Sequence, residues 1–222
     1  MTAQDTIHPY FASQRRFSAA ERFADSGVHI VGITAAIVGS ILLLATAARL
    51  RSSGEIAALA VYAACLLSML GFSAAYNMTP PSRLKWVLRR FDHSAIFLLI
   101  AGTYTPLLVQ LAGTSLAWGL GAVVWTGAAA GIALKLLLPG RFDTISIGIY
   151  LMLGWAGVFA IGSFMAVLPH SAMMLIFAGG LLYTAGVVFH LMSRLKFQNA
   201  IWHAFVVAAA ACHFAAIWLI YV

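Results

Sequence analysis

The chain has 222 residues, 63% of them hydrophobic and only 9% charged, with a formal net charge of +7. A soluble domain carries charge on about a quarter of its positions, so this composition excludes a soluble globular fold. The two cysteines, Cys65 and Cys212, both fall inside apolar stretches, which argues against a disulfide framework and for small buried side chains.

Residues 1–26 form a polar N-terminal segment, and 1–25 contain no apolar core ahead of a small-residue cleavage site. The expectation is therefore a cytoplasmic segment with no removable signal peptide. Within it, Ser18-Ala-Ala-Glu21 fits a capping box and predicts a helix starting on the membrane surface. Crossing the hydrocarbon core takes roughly 20 mainly apolar residues, and seven stretches qualify, near 27–48, 56–76, 93–111, 116–138, 145–165, 171–191 and 200–221.

Thr79-Pro80-Pro81 should stop the second span, because proline lacks a backbone donor and clashes with the preceding turn. Leu84, Trp86, Val87 and Leu88, set among four basic residues, predict a short interfacial helix before the third span. Gly113-Thr114-Ser115 and Pro139-Gly140 read as tight connections, and Gly127 with Gly131 as a small-residue packing face. No internal repeat is visible, and an odd number of spans argues against an inverted-repeat transporter. The predicted architecture is an all-α integral membrane protein, one seven-helix domain over 1–222.

The charge distribution orients it. Arg15, Arg16, Arg22, Arg83, Lys85, Arg89, Arg90, Lys135, Arg141, Arg194 and Lys196 fall on one side, eleven of thirteen basic residues, and only Arg49 and Arg51 opposite. The positive-inside rule then predicts a cytoplasmic N-terminus and an external C-terminus. The basic loops are expected to meet anionic lipid headgroups rather than nucleic acid.

With that topology, polar residues from five spans converge in one leaflet. Asp25, Ser26 and His29 open the first span; Ser73 and Asn77, at i and i+4, close the second. Asp92, His93 and Ser94 open the third, His190 closes the sixth, and Asn199 and His203 open the seventh. Ionisable side chains at membrane depth face the bundle interior. Asp92 has a second reading as a helix N-cap, and a lone His190 a second reading at the headgroups. Consecutive helical residues point about 100° apart, so Asp92 and His93 are not expected to aim inward together. Thr103 lies three turns from Asp92 on the same face, and His213 about 15 Å deeper than His203.

These segments together resemble the hemolysin III family, within the progestin and adipoQ receptor superfamily. The matching pieces are Glu21-x3-Asp25-x3-His29-x2-Gly32, Ser73-Ala-Ala-Tyr-Asn77, and Phe91-Asp92-His93-Ser94-Ala-Ile-Phe running into Ile100-Ala-Gly-Thr-Tyr-Thr-Pro106. Further matches are Tyr150-Leu-Met-Leu-Gly-Trp155, Gly179-Gly-Leu-Leu-Tyr-Thr-Ala-Gly186, Ile201-Trp-His203 and His213-Phe214. The resemblance implies seven helices and a zinc ion near the cytoplasmic face. Its ligands would be one His from the second helix and two from the seventh, with an Asp of the third helix on the zinc-bound water. It also implies lipid amide or ester hydrolysis by that centre. Here the second-helix ligand position is Asn77 and the first seventh-helix position is Asn199; His203 remains, with Asp92 and Ser73. An amide oxygen is a harder, weaker donor than imidazole and suits zinc poorly, so His29 enters as a substitute ligand, with His93 and His190 as further candidates to rebuild a site with His203 and Asp92.

Two functions stay open. One is an altered metal-dependent lipid hydrolase, with Asp92, Ser73 and His203 catalytic. The other is a non-enzymatic pocket that binds a lipid or small molecule, built from Asp25, His29, Ser73, Asn77, Asp92, Asn199 and His203. A haem site is disfavoured because His213 has no partner at its depth, and a pore because no charged ring lines the spans. The expected location is a bacterial cytoplasmic membrane.

Overall fold

The computed structural model describes residues 9–12, 15 and 17–222; Arg16 and residues 1–8 of the polar N-terminal segment lie outside the described residues. After a single helical turn at Pro9–Ala12 come seven helices long and apolar enough to cross a membrane. They are α1 (Ala19–Leu50), α2 (Ser53–Met78), α3 (Arg83–Val109), α4 (Ser115–Leu137), α5 (Asp143–Val167), α6 (His170–Leu191) and α7 (Gln198–Tyr221).

The capping box at Ser18 and Glu21 forms, but the helix it starts is α1 itself, which runs unbroken for 32 residues instead of pausing at the surface. The interfacial helix predicted around Trp86 is likewise the first turn of α3, capped by Ser82. Both differences have one cause. Nothing between the surface segment and the span breaks the hydrogen-bond ladder, and helix propagation costs less than a second nucleation. Ser82 at the cap also removes the N-cap reading of Asp92, which sits well inside α3.

One stripe of α1 is buried: Glu21, Asp25, His29, Gly32, Ala36, Ser40, Leu43 and Ala47. The steps of three and four residues keep these on one face. That face meets α2 and α7. Packing then runs from α2 to α3 to α4 on one side and from α7 to α6 on the other. Close approach needs small residues. A β-carbon at Gly131 would lie 2.3 Å from the Phe97 ring, and one at Gly127 2.8 Å from Leu153, so these glycines let α4 close on α3 and α5.

Helix α5 packs only lightly on its neighbours and is broken. It runs from Asp143 to Gly154, passes through a 3₁₀ turn at Ala156–Ala160, and resumes at Ile161–Val167. Tyr104 of α3 bridges the break: its hydroxyl donates to the Gly154 carbonyl at 2.8 Å and accepts from the Gly157 amide at 2.7 Å. Backbone groups that lose their helical partners in an apolar setting need such a substitute. Light packing of α5 leaves a space between α2, α3, α5, α6 and α7, and that space holds the site.

Candidate functional site

The space is a cavity of about 190 Å³. Ser73, Asp92, His93, Asp143, His190 and His203 line one end; Thr103, Tyr104, Trp155 and His213 lie toward the other. Most of the wall between them is aliphatic, including Met69, Ile96, Leu99, Ile147 and Val187. A smaller cavity of about 80 Å³ shares Thr103, Tyr104, Trp155 and His213 with it and extends along α5 and α6.

His203 is the hub. It sits in the second turn of α7, near the buried stripe of α1. Its Nδ1 lies 2.5 Å from Asp25 Oδ1, and its ring packs on that of His29 with centroids 4.4 Å apart. On the opposite edge, His203 Nε2 stands 3.5 Å from Ser73 Oγ and 3.5 Å from Asn77 Nδ2. Asn77 Nδ2 also donates to the Ser73 carbonyl at 2.9 Å, and Asn199 Nδ2 donates to Asn77 Oδ1 at 3.3 Å. Six of the seven residues singled out for the pocket, all but Asp92, thus connect through His203, Ser73 and Asn77. Asp25, His29, Asn77 and Asn199 stand behind the cavity wall; Ser73, Asp92 and His203 face into it.

Asp92 and His93 both line the cavity, contrary to the expectation from helical phase. The two side chains converge on one opening: His93 Nε2 lies 4.0 Å from Asp92 Oδ2, and His93 Nδ1 reaches α5, 4.0 Å from Asp143 Oδ1. The Tyr150 hydroxyl donates to the His93 carbonyl at 2.9 Å and ties α5 to α3 there.

Asp143 is a residue the sequence reading passed over. Its carboxylate takes Arg89 Nη2 at 2.5 Å and Lys135 Nζ at 2.8 Å. Arg89 and Lys135, assigned above to headgroup contacts, are instead 3% and 1% exposed. Each turns inward because Asp143 stands within reach, and buried charges persist only when paired. Lys85 likewise leaves the surface, donating to the Tyr76 and Thr79 carbonyls at 2.7 and 2.9 Å and so satisfying the end of α2. One signal was available: in a chain with six acidic residues, an aspartate at a span boundary is rare enough to ask for a partner.

Glu21, a cap and motif residue in the sequence, also ties two elements together. It accepts from Arg15 at 2.5 Å and from the Phe197 amide at 3.0 Å, joining α1 to the turn before α7.

A family model for haemolysin-III related proteins matches residues 19–214. The chain belongs to the haemolysin-III family. It is 32% identical over 198 residues to a hemolysin-3 homolog of Bacillus subtilis (strain 168), covering 89% of this chain and 93% of that one. It is 34% identical over 194 residues to hemolysin-3 of Bacillus cereus, covering 87% and 89%. The monocyte to macrophage differentiation factor of Homo sapiens is 27% identical over 201 residues, covering 89% and 83%. Membership, seven long apolar helices and bacterial relatives make this a multi-pass membrane protein.

A zinc ion held as the family resemblance implies does not fit this haemolysin-III chain. Two of the three positions carry amides, and Asn77 presents its NH₂ group to His203 rather than a lone pair. Among the described residues, a group that could hold a metal lies elsewhere: Asp25, His29 and His203 offer ligand atoms all within 4.8 Å of one another. This group sits at the α1–α7 contact rather than the α2–α7 contact, with His203 turning its Nδ1 to Asp25. His29 fits a cation there, since neither of its buried ring nitrogens has a hydrogen-bond partner among the described residues. His203 fits it less well, since Asp25 already engages its Nδ1.

Proposed function

We propose that this haemolysin-III protein is an intramembrane hydrolase of an acyl lipid ester or amide. One observation carries the reading: a cavity with Ser73, Asp92 and His203 at one end and an aliphatic wall beyond them. An amphiphile matches that polarity. Its carbonyl would stand among the polar side chains and its chain against Ile96, Leu99, Ile147 and Val187. Apolar lining with a few convergent polar groups is the usual form of a small-molecule site.

The residues divide the work. Asp92 hydrogen-bonds the polar head and orients the carbonyl beside Ser73; His203 exchanges the proton that hydrolysis must move. The Arg89–Asp143–Lys135 group fixes the near ends of α3, α4 and α5 and so sets the width of the opening. The orientation that goes with this reading is a cytoplasmic N-terminus, with the polar end of the cavity in the inner leaflet and membrane lipids as the source of ligand.

The test is turnover. Purified protein in nanodiscs is offered a panel of fluorogenic long-chain esters and N-acyl amides. The reading requires hydrolysis of at least one, lost in Asp92→Asn and His203→Gln. Specific, saturable lipid binding without turnover would instead support the non-enzymatic sensor, a role to which the non-titrating Asn77–Asn199 pair is suited.

The nitrogens of His29, which take no hydrogen bond among the described residues, favour a second form of the same reading, in which a divalent ion assists. Asp25, His29 and His203 would hold it, and a bound ion would supply Lewis acidity and an activated water. Metal analysis of protein purified without chelator distinguishes the two forms.

A further inference from the structure

The geometry points to a catalytic triad that needs no metal: Ser73 as nucleophile, His203 as its general base and Asp25 as the group that positions His203. This inference rests on the hydrolase reading above and names its chemistry.

Three residues from three helices meet in a linear order. Asp25 Oδ1 lies 2.5 Å from His203 Nδ1, and His203 Nε2 lies 3.5 Å from Ser73 Oγ. All three side chains are buried. A carboxylate only accepts, so the short contact fixes the proton on Nδ1 and leaves Nε2 as the acceptor facing the serine. Asn77 supports the same tautomer, because its NH₂ group is directed at Nε2 from 3.5 Å. The relation of acid, imidazole and hydroxyl is that of serine hydrolases, which recurs on unrelated folds and is recognised by geometry rather than by order in the chain. Nucleophile–base contacts are looser before substrate binds.

The serine is also placed to meet a substrate. Ser73 and His203 both line the cavity, whereas Asp25 lies behind its wall, where a positioning carboxylate belongs. Asn77 Nδ2, 3.5 Å from Ser73 Oγ and donating to the Ser73 carbonyl at 2.9 Å, holds the serine from behind the cavity wall. At the position where the family resemblance implies a metal ligand, this chain carries an amide that holds Ser73 and His203.

The reaction balances. Ser73 Oγ bonds to the acyl carbon as His203 Nε2 takes the hydroxyl proton. The C–O or C–N bond to the leaving group then breaks, and His203 returns the proton to the departing alcohol or amine. Water attacks the Ser73 ester, giving its proton to His203. The carboxylic acid leaves, and Ser73 Oγ recovers the proton.

The experiment is active-site labelling. Full-length protein in nanodiscs, dialysed against EDTA, is treated with a long-chain alkyl fluorophosphonate, and the modified peptide is identified by mass spectrometry. We expect modification at Ser73, unchanged by EDTA, absent in Ser73→Ala, and slowed about 100-fold in His203→Gln and Asp25→Asn. Asp25→Glu should recover much of the lost rate, which a purely structural role for Asp25 would not give. If Ser73→Ala fails to fold, Ser73→Cys replaces it: iodoacetamide should alkylate position 73 faster than in the Ser73→Cys/His203→Gln double variant. Turnover of a lipid ester that EDTA abolishes, with Ser73 unlabelled, would overturn the triad and leave the hydrolase reading standing. Labelling that survives His203→Gln but falls with Asp92→Asn would overturn it by making Asp92 the base. Neither labelling nor turnover on any substrate would remove both.

Discussion

Asp25 on α1 and His203 on α7 stand 178 positions apart in the chain and 2.5 Å apart in space. This contact fastens the first membrane helix to the last. Asp25→Ala leaves His203 Nδ1 without an acceptor inside the bundle. A hydrogen bond to a charged group contributes about 1.5–3 kcal/mol, so the variant should unfold at a temperature several degrees lower in detergent. Asp25→Asn, which keeps an acceptor oxygen, should lose less. Differential scanning fluorimetry checks both, and an unshifted Asp25→Ala would mean the contact carries no stability.

The Arg89–Asp143–Lys135 group makes a sharper prediction. Asp143→Ala strips the partner from two cations that are almost wholly buried, a change that costs about 3–5 kcal/mol when a buried pair is broken from one side. Arg141→Ala, two residues away and exposed, should stay within about 0.5 kcal/mol of the parent. The readout is the fraction remaining monodisperse on size exclusion after a heat step. Similar losses for the two variants would contradict the buried-pair account.

Tyr104→Phe removes one oxygen and orphans two backbone groups, the Gly154 carbonyl and the Gly157 amide. Leaving a buried polar group unsatisfied costs about 1–3 kcal/mol. The effect should be local: hydrogen exchange should speed at Gly157 and the rest of the 3₁₀ turn while α1 and α2 keep their protection.

The two amides can be tested by restoring imidazole. Asn77 contacts His203, and Asn199 contacts Asn77, so Asn77→His and Asn199→His together would place three imidazoles around one point. That set, with a water, makes a tetrahedral zinc site. The double variant should gain about one equivalent of zinc over the parent after purification without chelator, measured by mass spectrometry. Equal zinc in both proteins would refute the correspondence of positions.

Much of the fold was legible because lipid crossing leaves a simple mark. The seven spans follow from runs of apolar residues, and the stop after α2 from Thr79-Pro80-Pro81. The gathering of Ser73, Asn77, Asp92, Asn199 and His203 at one end followed from counting turns under an alternating topology. Illegible were the features set by a distant partner. Nothing local to Lys135 or Arg89 announces Asp143, and nothing near Tyr104 announces a break at Gly154. The rows of basic residues read as uniform surface charge, yet Lys85, Arg89 and Lys135 turn inward.

The sequence by itself determined that this is a membrane bundle of a recognisable family with polar residues at one end, because hydropathy and motif spacing are local properties. Only the tertiary structure decided what His203 does. A side chain in the second turn of α7 can face several neighbours, and the sequence reading set it beside Asn77 and Asn199 as the surviving zinc ligand. Packing of the α1 stripe against α7 gives it Asp25 at one nitrogen and leaves Ser73 at the other. That choice rests on the relative rotation and depth of three helices, fixed by close packing among residues that are far apart in the chain.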